Sequence, residues 1–545
     1  MSSAMTDTSV GLRLSDLAPS AEEDLVQRLE QLNTIGASLS AETDINRLLE
    51  TILTAAKSIT RADGGTLYRV TEEKTLRFEI LRTSSLKNYL GGTTGNPIPF
   101  YPVPLYKDGK PNHNNVSAYV ALTGKTVNIP DAYIAEGFDF SGTRGFDSKT
   151  GYRSKSFLTV PMRNHQNESI GVLQLINAQD PRSGEIVPFS PSDQRLAESL
   201  ASQAAVALTN RMLINQLEEL FESFITLINS AIDEKSPYTG GHCQRVPMLT
   251  MLLAEAVNET QSGPLAEFQM SDKDRYELKI AGLLHDCGKV TTPVHVVDKA
   301  TKLETIFDRI KLIDTRFEVL KRDAEIEWLK KKLDDKQLRD RQRQLEEDRR
   351  FLQMCNIGGE RMSDDNVIQV KRIAQYRWRD VSGHEADFLT EDEVKNLTIR
   401  AGTLTDDERK VINHHIVATI KMLEALPWPK HLTKVPEYAG GHHERMDGKG
   451  YPRGLTREQM SVQARCMGIA DIFEALTAKD RPYKKGKTLS ESLEILGRMK
   501  LNNHVDPDLF DVFVRRKVYR RYAEMFLDPE QIDEVDEAKI PGYQP

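Results

Sequence analysis

Four short segments in the first third of the chain alternate apolar and polar residues with the two-residue period of half-buried strands. They are Gly65 to Val70, Leu76 to Leu81, Ser156 to Met162 and Ser169 to Ile176. A helical pattern opens the region, from about Glu23 to Thr60. Between the strands, GGTTGNPIPFYPVPLYKDGKPNHNN is too rich in Gly, Pro and Asn for either regular structure. Residues 29–210 therefore read as an α+β sensor domain behind a polar tail over 1–28. Its last helix has a marked start: Ser190 can cap, Pro191 suits the first turn, and Asp193 faces the positive end of the helix dipole.

That helix has no evident stop. Leu213, Leu217, Leu220, Phe224 and Leu227 follow at alternating spacings of four and three, the seam of a coiled coil or a stripe buried within one subunit. A connecting helix over 211–230 and a homodimer are expected. Residues 231–530 read as an all-α domain, interrupted by an insertion over 298–408 and followed by a tail over 531–545. The insertion contains LKKKLDDKQLRDRQRQLEEDRR, where opposite charges recur at helical neighbour spacings, so a solvated helical insertion is expected, its helix ended by Asn356-Ile357-Gly358-Gly359. The fold class is α+β multidomain.

With 545 residues, 39% hydrophobic and 28% charged, the chain has the composition of a soluble protein of about two to four domains. The formal charge of −8 argues against a duplex nucleic acid partner but leaves room for a small phosphate-bearing ligand. No apolar run approaches the ~20 residues of a membrane helix and no secretion signal opens the sequence, so the cytoplasm is the expected compartment. Four cysteines, Cys243, Cys287, Cys355 and Cys466, lack CxxC spacing and suggest neither a disulfide framework nor a thiolate metal site.

Chemistry concentrates in the second domain. LLHDCGK, Leu283 to Lys289, ends an apolar run with imidazole, carboxylate and ammonium, groups that are costly to bury unless paired. GHHERMDGKGYPRGL, Gly441 to Leu455, gathers two histidines, two acids and a glycine-rich turn. His242, His285 with Asp286, His415 with its neighbour His414 as the alternative, His442 with His443, and Asp471 make a dispersed set of hard or borderline metal ligands. Asp471 lies in a largely apolar helix, where an unpaired carboxylate is expensive. Imidazole and carboxylate together suit iron, manganese, zinc or nickel better than magnesium.

These motifs, with TGGHCQRV at 239–246, the complete Gly450-Tyr451-Pro452 tripeptide and IADIFEALTAKDRPYKK from Ile469, resemble the HD-GYP family of cyclic dinucleotide phosphodiesterases within the HD metal-dependent phosphohydrolases. The resemblance implies hydrolysis of cyclic di-GMP to pGpG or GMP, with cyclic GMP-AMP as an alternative substrate. It implies one divalent ion, iron or manganese foremost, on His242, His285, Asp286 and Asp471. A second would rest on His415, His442 and His443, with Asp286 as bridge and a hydroxide between the ions as nucleophile. Lys289 would steady the transition state, while Arg481 and Lys484 would hold phosphate beside Gly450, Tyr451 and Pro452. Glu444 and Asp447 would orient the histidines, with surface salt bridges as the alternative. Tyr238 stands where some members place a third-metal glutamate, and Ser236 where an acid is usual, so two ions are expected. A non-catalytic receptor or scaffold, contacting a diguanylate cyclase through the tripeptide surface, is the rival reading.

The first domain is similar to GAF sensor modules. FDSKTGY at 146–152 with Asn177, Phe189 and Asp193 matches part of the signature of cyclic-nucleotide-binding members, whereas Ala178 and Gln194 depart from it. A small ligand or cyclic nucleotide is implied there, with a purely dimerising role as the alternative.

Overall fold

The alternating segments form antiparallel strands. In the computed structural model, residues 21–235, 241–359, 361–479 and 486–545 are described, and they divide into two units, Met1–Leu220 and Phe221–Pro545. The first unit opens with helices α1 (Ala21–Ala41) and α2 (Ile45–Thr60), the latter capped by Asp44, whose side chain accepts from the Arg47 N–H. Strands β1 (Ala62–Val70), β2 (Thr75–Thr83), β3 (Asn88–Gly91), β7 (Val127–Ile129), β8 (Phe157–Arg163) and β9 (Ser169–Gln179) make a sheet of order β3-β2-β1-β9-β8-β7. Short strands β4 (Val103–Pro104) and β10 (Ile186–Val187) pair with β2 and β9. Besides β4, the Gly/Pro-rich stretch adds a short 3₁₀ helix, Gly92–Thr94, and a small hairpin, β5 (Tyr106–Lys107) and β6 (Lys110–Pro111). Helices α3 (Val116–Thr123) and α4 (Ser141–Thr150) complete the loops.

The central β1/β9 register sets Leu67 opposite Leu173 and Gly65 opposite Leu175, so one face of the sheet is continuously apolar. Leu48, Ile52 and Ile59 of α2 pack there with Leu200, Ala204 and Leu208 of α5 (Pro191–Lys235). The three GAF signature residues have structural duties. Asn177, at φ 60°, accepts from the Lys155 N–H and donates to the Arg153 carbonyl; Phe189 is buried in the core. Asp193 accepts from the Ser190 N–H and hydroxyl and pairs with Arg28. Arg28 therefore belongs to a docked helix, although the sequence places it in a polar tail.

Within α5, Leu213, Leu217, Leu220, Phe224 and Leu227 are between 46% and 64% exposed. The expected seam is therefore not covered by its own chain.

The second unit is predominantly helical: α6 (His242–Asn258), α7 (Asp272–Leu284), α8 (Val294–Val297), α9 (Ile310–Leu329), α10 (Asp335–Asn356), α11 (Asp364–Ala374), α12 (Glu391–Leu397), α13 (Asp406–Glu424), α14 (Val435–Gly440), α15 (Val462–Thr477), α16 (Leu489–Leu501), α17 (Pro507–Arg515) and α18 (Val518–Phe526). Its largest core joins Leu249 and Leu253 of α6, Leu278 and Ile280 of α7, Ile469 and Phe473 of α15 and Phe510 and Phe513 of α17. Residues expected as a C-terminal tail close over this core: Ile532, Val535, Ile540 and Tyr543 all pack on it.

Two features of the insertion differ from a solvated helical excursion. A hairpin of β11 (Arg377–Arg379) and β12 (Glu385–Asp387) interrupts the otherwise all-α unit, its strands too short to register as an alternating pattern. The segment also has a hydrophobic core of its own, built from Leu303, Ile313, Phe317, Leu352, Val370, Phe388 and Leu397, with the Phe317 and Phe388 rings 4.6 Å apart. Most charges of α10 occupy its outer face, Asp348 being buried against Arg372 and Tyr376, and its apolar positions supply Leu345 and Leu352 to this core.

Because this core is separate, Phe317→Ala is expected to cost about 3–5 kcal/mol within the insertion. Hydrogen exchange should show the loss of protection confined to the 298–408 region, with α6, α7 and α15 still protected.

Candidate metal centre

The site is assembled from helix ends. Ser271 caps α7 through a capping box with Asp274, and the helix stops at Leu284, leaving His285 and Asp286 at the turn into the short 3₁₀ helix Cys287–Thr291. Gly288 lets that turn lie against α13. A Cβ there would sit 2.0 Å from the His415 carbonyl oxygen and 2.5 Å from the Thr419 nitrogen, and its N–H donates to Thr419 Oγ1 at 2.9 Å. The same approach sets Asp286 beside His415. Helix α15 packs along α6, bringing Asp471 to His242, and His442 and His443 follow the end of α14.

Two sets of donors result, and Asp286 divides its oxygens between them. His242 Nε2 lies 3.0 Å from Asp286 Oδ2, 3.4 Å from Asp471 Oδ1 and 3.3 Å from His285 Nε2. On the other side, Asp286 Oδ1 lies 3.2 Å from His415 Nε2, which is itself 3.2 Å from His443 Nε2. The His442 ring lies between the sets, its centroid 4.1 Å from that of His443 and 5.0 Å from that of His285. His285, Asp286, His415 and His442 are each under 5% exposed.

The backbone selects the tautomers. Nδ1 of His285, His415 and His442 faces the carbonyl oxygens of Gly282, Ile412 and Ala439 at 2.6, 2.6 and 2.7 Å, so in each ring Nδ1 carries the proton and Nε2 presents a lone pair. Lone pairs facing one another at 3.2–3.3 Å repel unless a positive centre lies among them. In the second set a proton is a poor candidate, because burial keeps His443 well below the usual imidazole range; in the first set burial holds His285 down at about 4, while Glu474 and Asp286 outweigh burial at His242 and push it up to about 10, so a proton competes with a cation for that position. His442 Nε2 and Asp286 Oδ1 are buried without a hydrogen-bond partner among the described residues. Neutral imidazoles with converging lone pairs around an ionised carboxylate fit a pair of borderline divalent cations.

Burial would push Asp286 up, but Lys289 and the neighbouring histidines outweigh it and hold the carboxyl well below its ordinary range. Lys289 Nζ lies 2.5 Å from Asp286 Oδ2 with a fifth of its side chain exposed, at the border between the donors and solvent. Tyr451 stacks on His443, centroids 4.9 Å apart and planes 22° from parallel, and its N–H donates to the His443 carbonyl. Gly450 packs directly on the backbone of Glu444 and Arg445, where a Cβ would meet atoms at 2.4–2.5 Å.

All seven proposed ligands converge, as do Lys289 and Tyr451. His415 faces the site, while its neighbour His414 is exposed. Arg481 and Lys484, and also Tyr238 and Ser236, lie outside the described residues. Two expectations need correction. Glu444 accepts from the Arg453 and Leu455 N–H groups at 2.7 and 2.9 Å, and Asp447 pairs with Arg445, so these acids fold the tripeptide loop and orient no histidine. The acid that does contact a ligand is Glu474, 2.6 Å from His242 Nδ1. Its signal was available: like Asp471 one turn earlier, it is a carboxylate in an apolar helix. The thiols of Cys243 and Cys287 are pushed up by burial to about 12 and about 11, so they remain neutral beside the donors.

Sequence comparison defines the class first. The GAF domain profile matches residues 44–208, and two HD domain profiles match 239–353 and 391–509, so the chain carries an N-terminal GAF domain followed by an HD domain. Among its relatives is a 3′3′-cGAMP-specific phosphodiesterase 3 of Vibrio cholerae, 24% identical over 336 residues, 61% of this chain and 48% of that protein. A cyclic di-GMP phosphodiesterase of Pseudomonas aeruginosa is 38% identical over 116 residues, 21% of this chain and 27% of that protein. A 3′3′-cGAMP-specific phosphodiesterase 1 of V. cholerae is 44% identical over 81 residues, 15% of this chain and 19% of that protein. The chain thus spans less than half the length of each.

Metal analysis of the purified chain is expected to find about two divalent ions per polypeptide. His285→Ala and His443→Ala should each lower the count to about one, because each removes a donor from a different set.

Proposed function

We propose that this protein is an HD-GYP-type, metal-dependent phosphodiesterase of cyclic dinucleotides, and that cyclic di-GMP is hydrolysed to pGpG or GMP. The observation that carries the reading is the division of Asp286 between two sets of imidazole lone pairs, with a lysine ammonium at their edge. His242, His285, Asp286 and Asp471 would hold one ion and His415, His442, His443 and Asp286 the other; iron or manganese suits these donors. Bound there, the pair of ions supplies an acidified water and neutralises charge at phosphorus.

The chain's own groups do the rest. Asp286 fixes the separation of the two donor sets. Lys289 is placed to move from Asp286 to a non-bridging phosphate oxygen, donating a charge-assisted hydrogen bond as negative charge builds there. Tyr451, braced flat on His443 and flanked by Gly450 and Pro452, offers an aromatic face at the mouth of the site. Arg481 and Lys484 are proposed phosphate contacts on sequence grounds alone.

The relatives specific for 3′3′-cGAMP favour that molecule as a second substrate reading. Retention of His285, Asp286 and Lys289 weighs against a receptor that binds without turnover. The GAF domain would regulate the HD domain, by binding a small ligand or cyclic nucleotide, in a homodimer held by the exposed seam of α5. Among the described residues no helix is long and apolar enough to cross a membrane, which agrees with a cytoplasmic site of action.

Metal-loaded protein should convert cyclic di-GMP, followed by chromatography beside 3′3′-cGAMP and a mononucleotide. Asp286→Ala should abolish turnover, and Lys289→Ala should lower kcat by about 10²–10³ with two ions still bound. Binding without turnover at full metal occupancy would replace the enzyme with a receptor. For the seam, Leu217→Arg combined with Leu220→Arg should shift the sedimenting species from dimer to monomer, since each places a charge at an apolar coiled-coil position.

A further inference from the structure

His242 is held differently from the other ligands. His285, His415 and His442 each turn Nδ1 onto a carbonyl oxygen three residues earlier in their own chain segment. His242 is the first residue of α6, preceded by Gly241 at φ 84°, and its Nδ1 faces outward from that helix to α15. There Glu474 Oε2 meets it at 2.6 Å. The second oxygen of Glu474 is also committed: Arg245, one turn along α6, places Nε at 2.7 Å and Nη2 at 2.6 Å from Oε1. The glutamate side chain is 1% exposed.

We infer that Glu474, clamped by Arg245, is the positioning residue that makes His242 a metal ligand. The inference rests on the metal-centre reading given above. Without Glu474, the His242 ring is free to present either nitrogen, and rotation would carry Nε2 away from Asp286, Asp471 and His285. With it, the proton sits on Nδ1 and the Nε2 lone pair joins the donors of the first set. A carboxylate at the distal nitrogen also makes the imidazole a better donor than a carbonyl does. Arg245 prevents a competing outcome. A buried carboxylate so near the donors would otherwise serve as a ligand itself, but its free oxygen is engaged by a planar two-pronged donor.

The dependence is confined to one set. Among the described residues no carboxylate contacts Nδ1 of His415 or His442, so the second set should not sense Glu474.

The test is metal affinity, independent of turnover. Full-length protein stripped with a chelator is titrated with Mn²⁺ against a chromophoric competitor, and Co²⁺-loaded protein gives a visible absorption spectrum that reports ligand geometry. Glu474→Gln should weaken one of the two ions by about 10–100-fold, leave the other unchanged, and alter the Co²⁺ spectrum; Glu474→Asp should restore part of the loss. Should Glu474→Gln fail to fold because Arg245 is left unpaired, the double variant Arg245→Gln, Glu474→Gln removes both charges and should show the same selective loss. Two ions bound with wild-type affinity and an unchanged spectrum in a folded variant would overturn the inference. Wild-type protein that binds no ions would instead overturn the metal-centre reading beneath it.

Discussion

Asp286 is ionised, 2% exposed, and enclosed by three imidazoles, those of His242, His285 and His415, and an ammonium. Removing a carboxylate from water costs several kcal/mol, and the fold recovers that cost only by surrounding it with positive or polarisable partners. This one requirement orders the helical unit. Helix α7 must stop where it does so that Asp286 reaches inward. Gly288 must lack a side chain so that the turn behind Asp286 can touch α13. His285, His415 and His442 must have their Nδ1 protons absorbed by backbone carbonyls, and His242 by Glu474, because otherwise their donors rather than their lone pairs would face inward. The hydrophobic contacts of α6, α7 and α15 hold these helix ends in register, and the apolar core and the polar centre are two faces of the same helices.

The insertion fits this arrangement because it leaves the core alone. It enters after Asp298 and returns before α13, so a single gap in the chain accommodates more than a hundred residues without displacing a ligand. Its own hydrophobic cluster allows this. A merely solvated excursion of that length would add conformational entropy at both ends of the segment that carries His285 and His415. Lys299, buried against Glu408 and Asn396, fastens the entry strand to the start of α13 and so ties the base of the insertion to the helix bearing His415.

Much of this is legible in the sequence, and the rest is obscure for identifiable reasons. The strands of the first unit announce themselves by alternation, although β1 and β8 bury consecutive residues on both faces. The seven proposed ligands are conspicuous because imidazole and carboxylate are anomalous in apolar surroundings. Glu474 obeys the same rule as Asp471, one turn earlier in the same apolar helix. Glu444 misleads for the opposite reason: adjacency to His443 suggests contact, but its side chain turns to the Arg453 and Leu455 amides, which are obliged to find acceptors in a tight loop. The core of the insertion is hidden by composition, since the charges of α10 outnumber the few leucines that face inward. The hairpin of β11 and β12 is hidden by length.

The electrostatic balance of the centre also explains how an acidic protein can attract an anion. The first donor set contributes two carboxylates, one of them shared, and the second contributes imidazoles alone. Glu474 adds no net charge, because Arg245 offsets it. Two divalent ions in these sets would therefore exceed the carboxylate charge facing them, and Lys289 would add a further positive charge at the rim. With both ions bound the local field would be cationic although the chain carries a formal charge of −8. The asymmetry has a second consequence. The carboxylate-rich set offers harder donors than the imidazole set, so two ions bound there would differ in environment even if they were the same element. A phosphodiester spanning them would meet a stronger positive field on the side of the softer set, where no carboxylate except the shared one screens the ion.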